Sequence, residues 1–228
     1  MTPDDDEAVT AVAALGDPVR RRLYRFVGTQ DHAVSRDEAA AGVGTSRSAA
    51  AFHLDRLVND GLLQTEFRRL TGRRGPGAGR PAKLYRRAAE EITVSLPSRR
   101  YELAGGLLAA AVSEATQSGA PVGAVLDRLA RAHGAALAGA APDADGVIDV
   151  LAAEGYEPRI VDGEVVLGNC PFHVLVTDHP ELVCRMTLAV LEGFVAAVPG
   201  AGLTARLQPA EGACCVRLAF HPPPVSHT

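Results

Sequence analysis

Apolar positions recur at helical spacing soon after the start of the chain. Val19, Leu23, Phe26 and Val27 fall at i, i+4, i+7 and i+8, one face of a helix. Asp17 and Pro18 open it, an acceptor for the unpaired N–H groups followed by a residue whose fixed φ suits the first turn. Ser35 then caps a short helix, RDEAAAGV, with Glu38 placed three residues on as in a capping box. GVGT supplies a tight turn, and Thr45 caps a third helix, SRSAAAFHLDRLVND, which Gly61 ends. Ala50, Leu54, Leu57 and Val58 form its buried stripe, which leaves Arg47, Ser48, Ala51 and Phe52 together on another face near its start.

The period then changes. LLQTEFRRL alternates as a strand does, and Leu84 and Tyr85 resume a strand after a stretch whose four glycines and two prolines exclude a helix. Two strands joined by an Arg-rich, Gly-rich tip form a wing, with a flexible basic linker as the alternative. Further on, SLPSRRYELAGGLLAAAVSEATQSG reads as a linker and an apolar helix. APVGAVLDRLARAHGAALAG reads as a second, with Val122, Val125, Leu126 and Leu129 on its apolar face. Such Ala- and Gly-rich helices pack closely, so the pair is the expected dimer seam; the alternative is that they cover the last domain. APDADG breaks the chain. VIDVLAAEG is then helical, EPRIVDGEVVLGNC is strand, turn and strand, and ELVCRMTLAVLEGFVAAV is a long helix. LTARLQPAEGACCVRLAF closes as two strands around QPAEGA.

Charge divides the chain in the same place. From Asp17 to Arg100 there are 17 Arg and Lys against 9 Asp and Glu; from Tyr101 onward there are 6 against 14. A basic part joined to an acidic part implies that one of them meets a polyanion. A helix with Arg47, Ser48, Ala51 and Phe52 at its start suits the major groove, where Arg reads guanine and small or aromatic side chains touch the thymine methyl. Thr45 and Ser46 join that candidate set, and His53 fits a structural or phosphate-contacting role. Arg73, Arg74, Arg80 and Lys83 on the wing are placed to meet phosphates or a minor groove.

No apolar run reaches the roughly 18–20 residues of a membrane span. MTPDDDEAV has neither the basic start nor the apolar core of a signal peptide. The expectation is a soluble cytoplasmic protein with no membrane partner. In that reducing setting the four cysteines, Cys170, Cys184, Cys214 and Cys215, are read as metal ligands or redox sensors rather than disulfides. Their spacing is not the paired C-x-x-C of a zinc ribbon, whereas iron–sulfur clusters tolerate dispersed thiolates. On a strand the side chains of Cys214 and Cys215 would point to opposite faces, so one would be a ligand and the other a core residue. Adjacent Cα atoms, about 3.8 Å apart, are also too close for a disulfide, which needs roughly 4.4 Å. If the strand begins only after the doublet, both can ligate. Four thiols without any metal are the remaining alternative.

Residues from about 10 to 90 resemble the winged helix-turn-helix domain of bacterial regulators of the ArsR/MarR/DeoR type. SRSAAAFHLDRLVNDGLL matches the recognition helix and its exit, and GRPAKLY the return strand of the wing. With the C-terminal cysteines, the whole chain resembles SufR-like regulators, iron–sulfur-sensing repressors. The resemblance implies a homodimer on an inverted-repeat operator in double-stranded DNA. It also implies three cysteine ligands, carried to Cys170, Cys184 and one of the doublet, with Cys214 preferred. A fourth ligand would be the other cysteine, His173 or His179.

The expected class is therefore α+β: a winged helix-turn-helix over 1–95, dimerisation helices over 96–142, a small α/β sensor domain over 143–221 and a disordered tail over 222–228. The expected function is a DNA-binding regulator responding to cluster or redox state, not an enzyme. Structural zinc, a metal-free thiol switch and a small-molecule effector are the alternatives within that class. A methyltransferase with a winged-helix dimerisation domain is the alternative outside it. That enzyme needs a glycine-rich cofactor loop after a strand, and none follows residue 101.

Overall fold

The structure, a computed structural model, describes residues 3–69, 81–141, 143, 146–198, 200–210 and 212–220. The expected wing tip, with Arg73, Arg74 and Arg80, and the expected tail over 222–228 lie outside the described residues. The chain divides into two compact units, Thr2–Val94 and Ser95–Thr228. The two central helices therefore belong with the C-terminal sheet.

The first unit contains α1 (Pro3–Ala14), α2 (Pro18–Thr29), α3 (Arg36–Val43) and α4 (Arg47–Asn59), with β1 (Val34–Ser35), β2 (Leu63–Arg68) and β3 (Ala82–Arg87). Local chemistry sets most of these ends. Asp17 Oδ1 accepts the N–H groups of Val19 and Arg20 at 2.8 and 2.9 Å. Ser35 Oγ accepts from Glu38 N while the Glu38 carboxylate receives Ser35 N, the reciprocal cap expected there. Gly44 adopts φ +68°, the left-handed conformation that frees the chain from α3 for the turn. The cap of α4 is Ser46 rather than Thr45, since Ser46 Oγ accepts Ala49 N at 3.2 Å.

These helices bury Leu23, Val27, Ala39, Leu54 and Leu57 in one core with Val34, Leu62 and Tyr85. Each large aliphatic side chain so buried contributes about 1.5–3 kcal/mol. Phe26 reaches into the helix-turn-helix, where a Cβ on Gly42 would overlap its ring. The antiparallel sheet runs β1-β3-β2, with Leu63 opposite Arg87 and Arg68 opposite Ala82. Both strands of the wing thus form as expected, and β1 adds a short third.

The second unit contains α5 (Tyr101–Ser118), α6 (Val122–Leu137), α7 (Gly146–Ala153), β4 (Pro158–Val161), β5 (Glu164–Leu167), α8 (His173–Asp178), α9 (Pro180–Ala197), β6 (Leu203–Leu207) and β7 (Val216–Phe220). The sheet is antiparallel in the order β4-β5-β7-β6, so the last strand inserts between β5 and β6. The long helix α9 packs on this sheet and against α6. Val183, Met186, Val190, Leu191 and Phe194 of α9 are buried there. The helices α6 and α9 approach backbone to backbone: a Cβ on Gly134 would overlap the Val190 carbonyl, and one on Gly193 would overlap Arg131. Helix α6 therefore covers the C-terminal core. Gly105, Gly106, Ala109, Ala110 and Val112 of α5 stay exposed.

Candidate functional site

Helix α4 is built to show one face. Leu54 and Leu57 hold it on the core, while Arg47, Ser48 and Phe52 are exposed and Ala51 is half-buried. Phe52 is 67% exposed, a large apolar ring in water. Arg47 Nε rests on Asp37 Oδ1 of α3 at 2.5 Å, an exposed pair that a phosphate or guanine edge can displace. Thr45 and Ser46 lie at the N-terminus of α4, where the free N–H groups and the dipole favour an anion. His53 turns toward the protein: its Nδ1 is enclosed without a partner, and its ring meets Phe52 edge-on at 5.3 Å.

The strands after α4 are fixed to this helix through Asp55. Asp55 Oδ1 receives the Lys83 ammonium and the Tyr85 hydroxyl, each at 2.7 Å. Burial raises the Asp55 carboxyl, but the bonds from Lys83 and Tyr85 prevail and hold it below its ordinary value. Burial, reinforced by the bond to Asp55, pushes the Tyr85 hydroxyl well above its own. Lys83, expected to meet phosphate, is 29% exposed and committed to Asp55. An acidic residue on α4 with Lys and Tyr two apart on one strand face was the available signal. Arg73, Arg74 and Arg80 fall on the part of the wing outside the described residues.

The four cysteines come together in the second unit. Cys170 follows β5, Cys184 lies in the second turn of α9, and Cys214 and Cys215 immediately precede β7. The last strand thus begins at Val216, after the doublet, so alternation along a strand does not part the two thiols. Cys214 N still bonds Leu167 O at 2.8 Å, and Gln208 N bonds Cys215 O at 2.7 Å, which pins the doublet between β5 and β6. The Cys170 thiol interacts with Cys214, Cys214 with Cys215, and Cys215 with Cys184. Contact with Cys214 and burial raise the Cys170 thiol well above the ordinary range. Cys214 is lowered most by Cys170, yet contact with Cys215 and burial outweigh this and push it up to about 12. Burial raises Cys184, the half-buried member of the four.

Tyr156, fully buried, lies within electrostatic reach of Cys170, Cys214 and Cys215. His173 and His179, the expected alternative ligands, are exposed. Among the described residues, no three His, Cys, Asp or Glu side chains are arranged around a single metal ion. In number and kind the four thiols do fit the donor set of an iron–sulfur cluster, whose ligands bind different iron atoms.

A family model described as a helix-turn-helix domain matches residues 15–66. No curated protein and no solved structure matches the chain. The match spans α2, α3, α4 and the start of β2, so the chain carries a helix-turn-helix domain of the kind that binds DNA. No helix among the described residues is long and apolar enough to cross a membrane.

Proposed function

We propose that the chain is a transcriptional regulator that binds double-stranded DNA as a homodimer, with no catalytic activity of its own, and responds through Cys170, Cys184, Cys214 and Cys215 to iron–sulfur cluster or redox state. The observation that carries the DNA-binding part is the exposed Arg47, Ser48 and Phe52 face of α4 inside a matched helix-turn-helix. The exposed Ala/Gly face of α5 supports the dimer, since paired recognition helices meet half-sites about one helical turn apart on an inverted repeat.

The gathering of four thiols from a loop, a helix and a strand entry supports the sensor. When bound, a cluster would supply an iron- and redox-dependent tie between those three segments. The chain's own residues do the rest: Leu167 and Gln208 hold the doublet in place, and contact between thiols together with burial holds Cys170 and Cys214 above their ordinary range. A metal-free thiol switch is the second reading, favoured by the direct contact of Cys170 with Cys214.

The test is a visible absorption spectrum of protein purified without oxygen, with iron and zinc assayed on the same sample. Coloured protein with stoichiometric iron supports the cluster. Protein that stays colourless and iron-free after anaerobic reconstitution overturns it and leaves the thiol switch. DNA binding is tested separately, by selection from random duplexes with Arg47→Ala as the control.

A further inference from the structure

The chain enters the second unit through Ser98, Arg99 and Arg100, and these residues are bound to the loop that carries Cys170. The Asn169 side chain, 7% exposed, donates from Nδ2 to Gly155 O at 2.6 Å and to Ser98 O at 3.0 Å. Its Oδ1 accepts from Arg99 Nη1. Two carbonyls on one side and a guanidinium on the other fit only this orientation of the amide, because a flip would set oxygen against oxygen. Arg99 Nη1 also reaches Cys170 O at 3.2 Å, and Arg100 N donates to Pro171 O at 3.1 Å. Behind Asn169, its own N–H bonds Tyr156 O at 3.0 Å. Gly155, at φ +83°, lies so close that a Cβ there would stand 2.9 Å from Ser98 Cβ.

We propose that Asn169 is a clasp that makes the order of the Ser98–Arg100 strap and the state of the thiol site one equilibrium. Three consecutive residues, Asn169, Cys170 and Pro171, supply bonds to the strap, and the middle one carries a site thiol. Backbone movement that follows a change at that thiol therefore moves the strap's acceptors. By linkage, loosening the strap shifts the same local opening equilibrium that exposes the thiols, so exchange at the strap and access to the thiols follow it together. The strap lies a few residues past the covalent junction with the first unit, so the clasp acts where the chain enters the unit of the cysteines. The inference rests on reading the cysteines as the responsive site, yet its test requires no metal.

The test uses the full chain, reduced and metal-free, with Asn169→Ala and Arg99→Ala. Two quantities are read: hydrogen exchange at the Arg100 amide, and the rate at which dithionitrobenzoate modifies the four thiols. Both should rise together in each variant, on the order of five-fold for each hydrogen bond removed. Amides of α2–α4 should not change. If the strap exchanges faster while thiol reactivity stays at the wild-type rate, or the reverse, the clasp is overturned. Should Asn169→Ala fail to fold by circular dichroism, Arg99→Ala decides alone, because its side chain is only part-buried. Iron uptake is scored apart from both readouts, so failure of the cluster reading leaves this result interpretable.

Discussion

The Tyr85 hydroxyl donates to Asp55 Oδ1 at 2.7 Å, joining β3 to α4. Tyr85 is buried, so a hydroxyl left without its acceptor carries the full cost of desolvation. Asp55→Ala should lower the stability of the first unit by about 1–3 kcal/mol, and Tyr85→Phe by about 1 kcal/mol. Urea unfolding monitored in that unit checks both. Equal stability of Asp55→Ala and wild type would deny the joint any role.

The same carboxylate sets a dependence on pH. Its pKa is lowered in the folded protein from the ordinary 3.8. The ionised form is therefore the stabilising one, and its contribution is present above that ordinary value. It is lost as pH falls through the lowered folded value. The stability gap between wild type and Asp55→Asn should hold constant from roughly pH 5 to 7 and shrink below about pH 4. A gap unchanged down to the acid limb would contradict the sign.

Arg47→Ala and Phe52→Ala should separate binding from folding. Both side chains are exposed, so each change should leave stability within about 0.5 kcal/mol. On a selected duplex, Arg47→Ala should weaken binding by roughly ten-fold or more and relax preference at one base pair. Fluorescence anisotropy against salt distinguishes base reading from phosphate contact. A uniform loss on all sequences would make Arg47 a phosphate ligand instead.

Gly134→Ala should be among the most damaging single changes in the second unit, because its new methyl meets the Val190 carbonyl rather than a flexible side chain. A loss of at least about 3 kcal/mol is expected. Gly139→Ala, where a methyl meets nothing within 4 Å, should be neutral. Thermal unfolding of both variants makes the comparison.

Cys184 is half-buried while the other three thiols are buried. In reduced, metal-free protein, iodoacetamide should reach Cys184 first, with Cys170, Cys214 and Cys215 following only as the unit opens. Peptide mass spectrometry over time gives the order. Simultaneous labelling of all four would mean that the thiols are not enclosed as described.

The caps at Asp17 and Ser35 were legible because each acts within three residues of itself. Ser46 and Thr45 both offer a hydroxyl, and sequence does not reveal which of two neighbours takes the extended conformation of a cap. The two-residue β1 carries no pattern of its own; pairing of Val34 with Tyr85, 51 positions on, creates it. The four cysteines were recognised by type, but their meeting depends on β7 entering between β5 and β6, a long-range pairing without a local signature. The start of β7 at Val216, which frees both members of the doublet from strand alternation, is decided by that same pairing. Asn169 stood in plain view beside Cys170, yet its partner Ser98 lies 71 residues earlier.

Strand order also governs timing. During synthesis β4 and β5 emerge early and can form only a hairpin, a marginal structure on its own. Helix α9 follows with an apolar face and no finished sheet to cover. Until the ribosome has released the segment through Phe220, β5 and β6 lack their shared neighbour, and Cys170 and Cys184 wait for the doublet. The first unit, complete by Val94, can fold more than a hundred residues sooner. A newborn chain therefore completes its helix-turn-helix before its four thiols can meet.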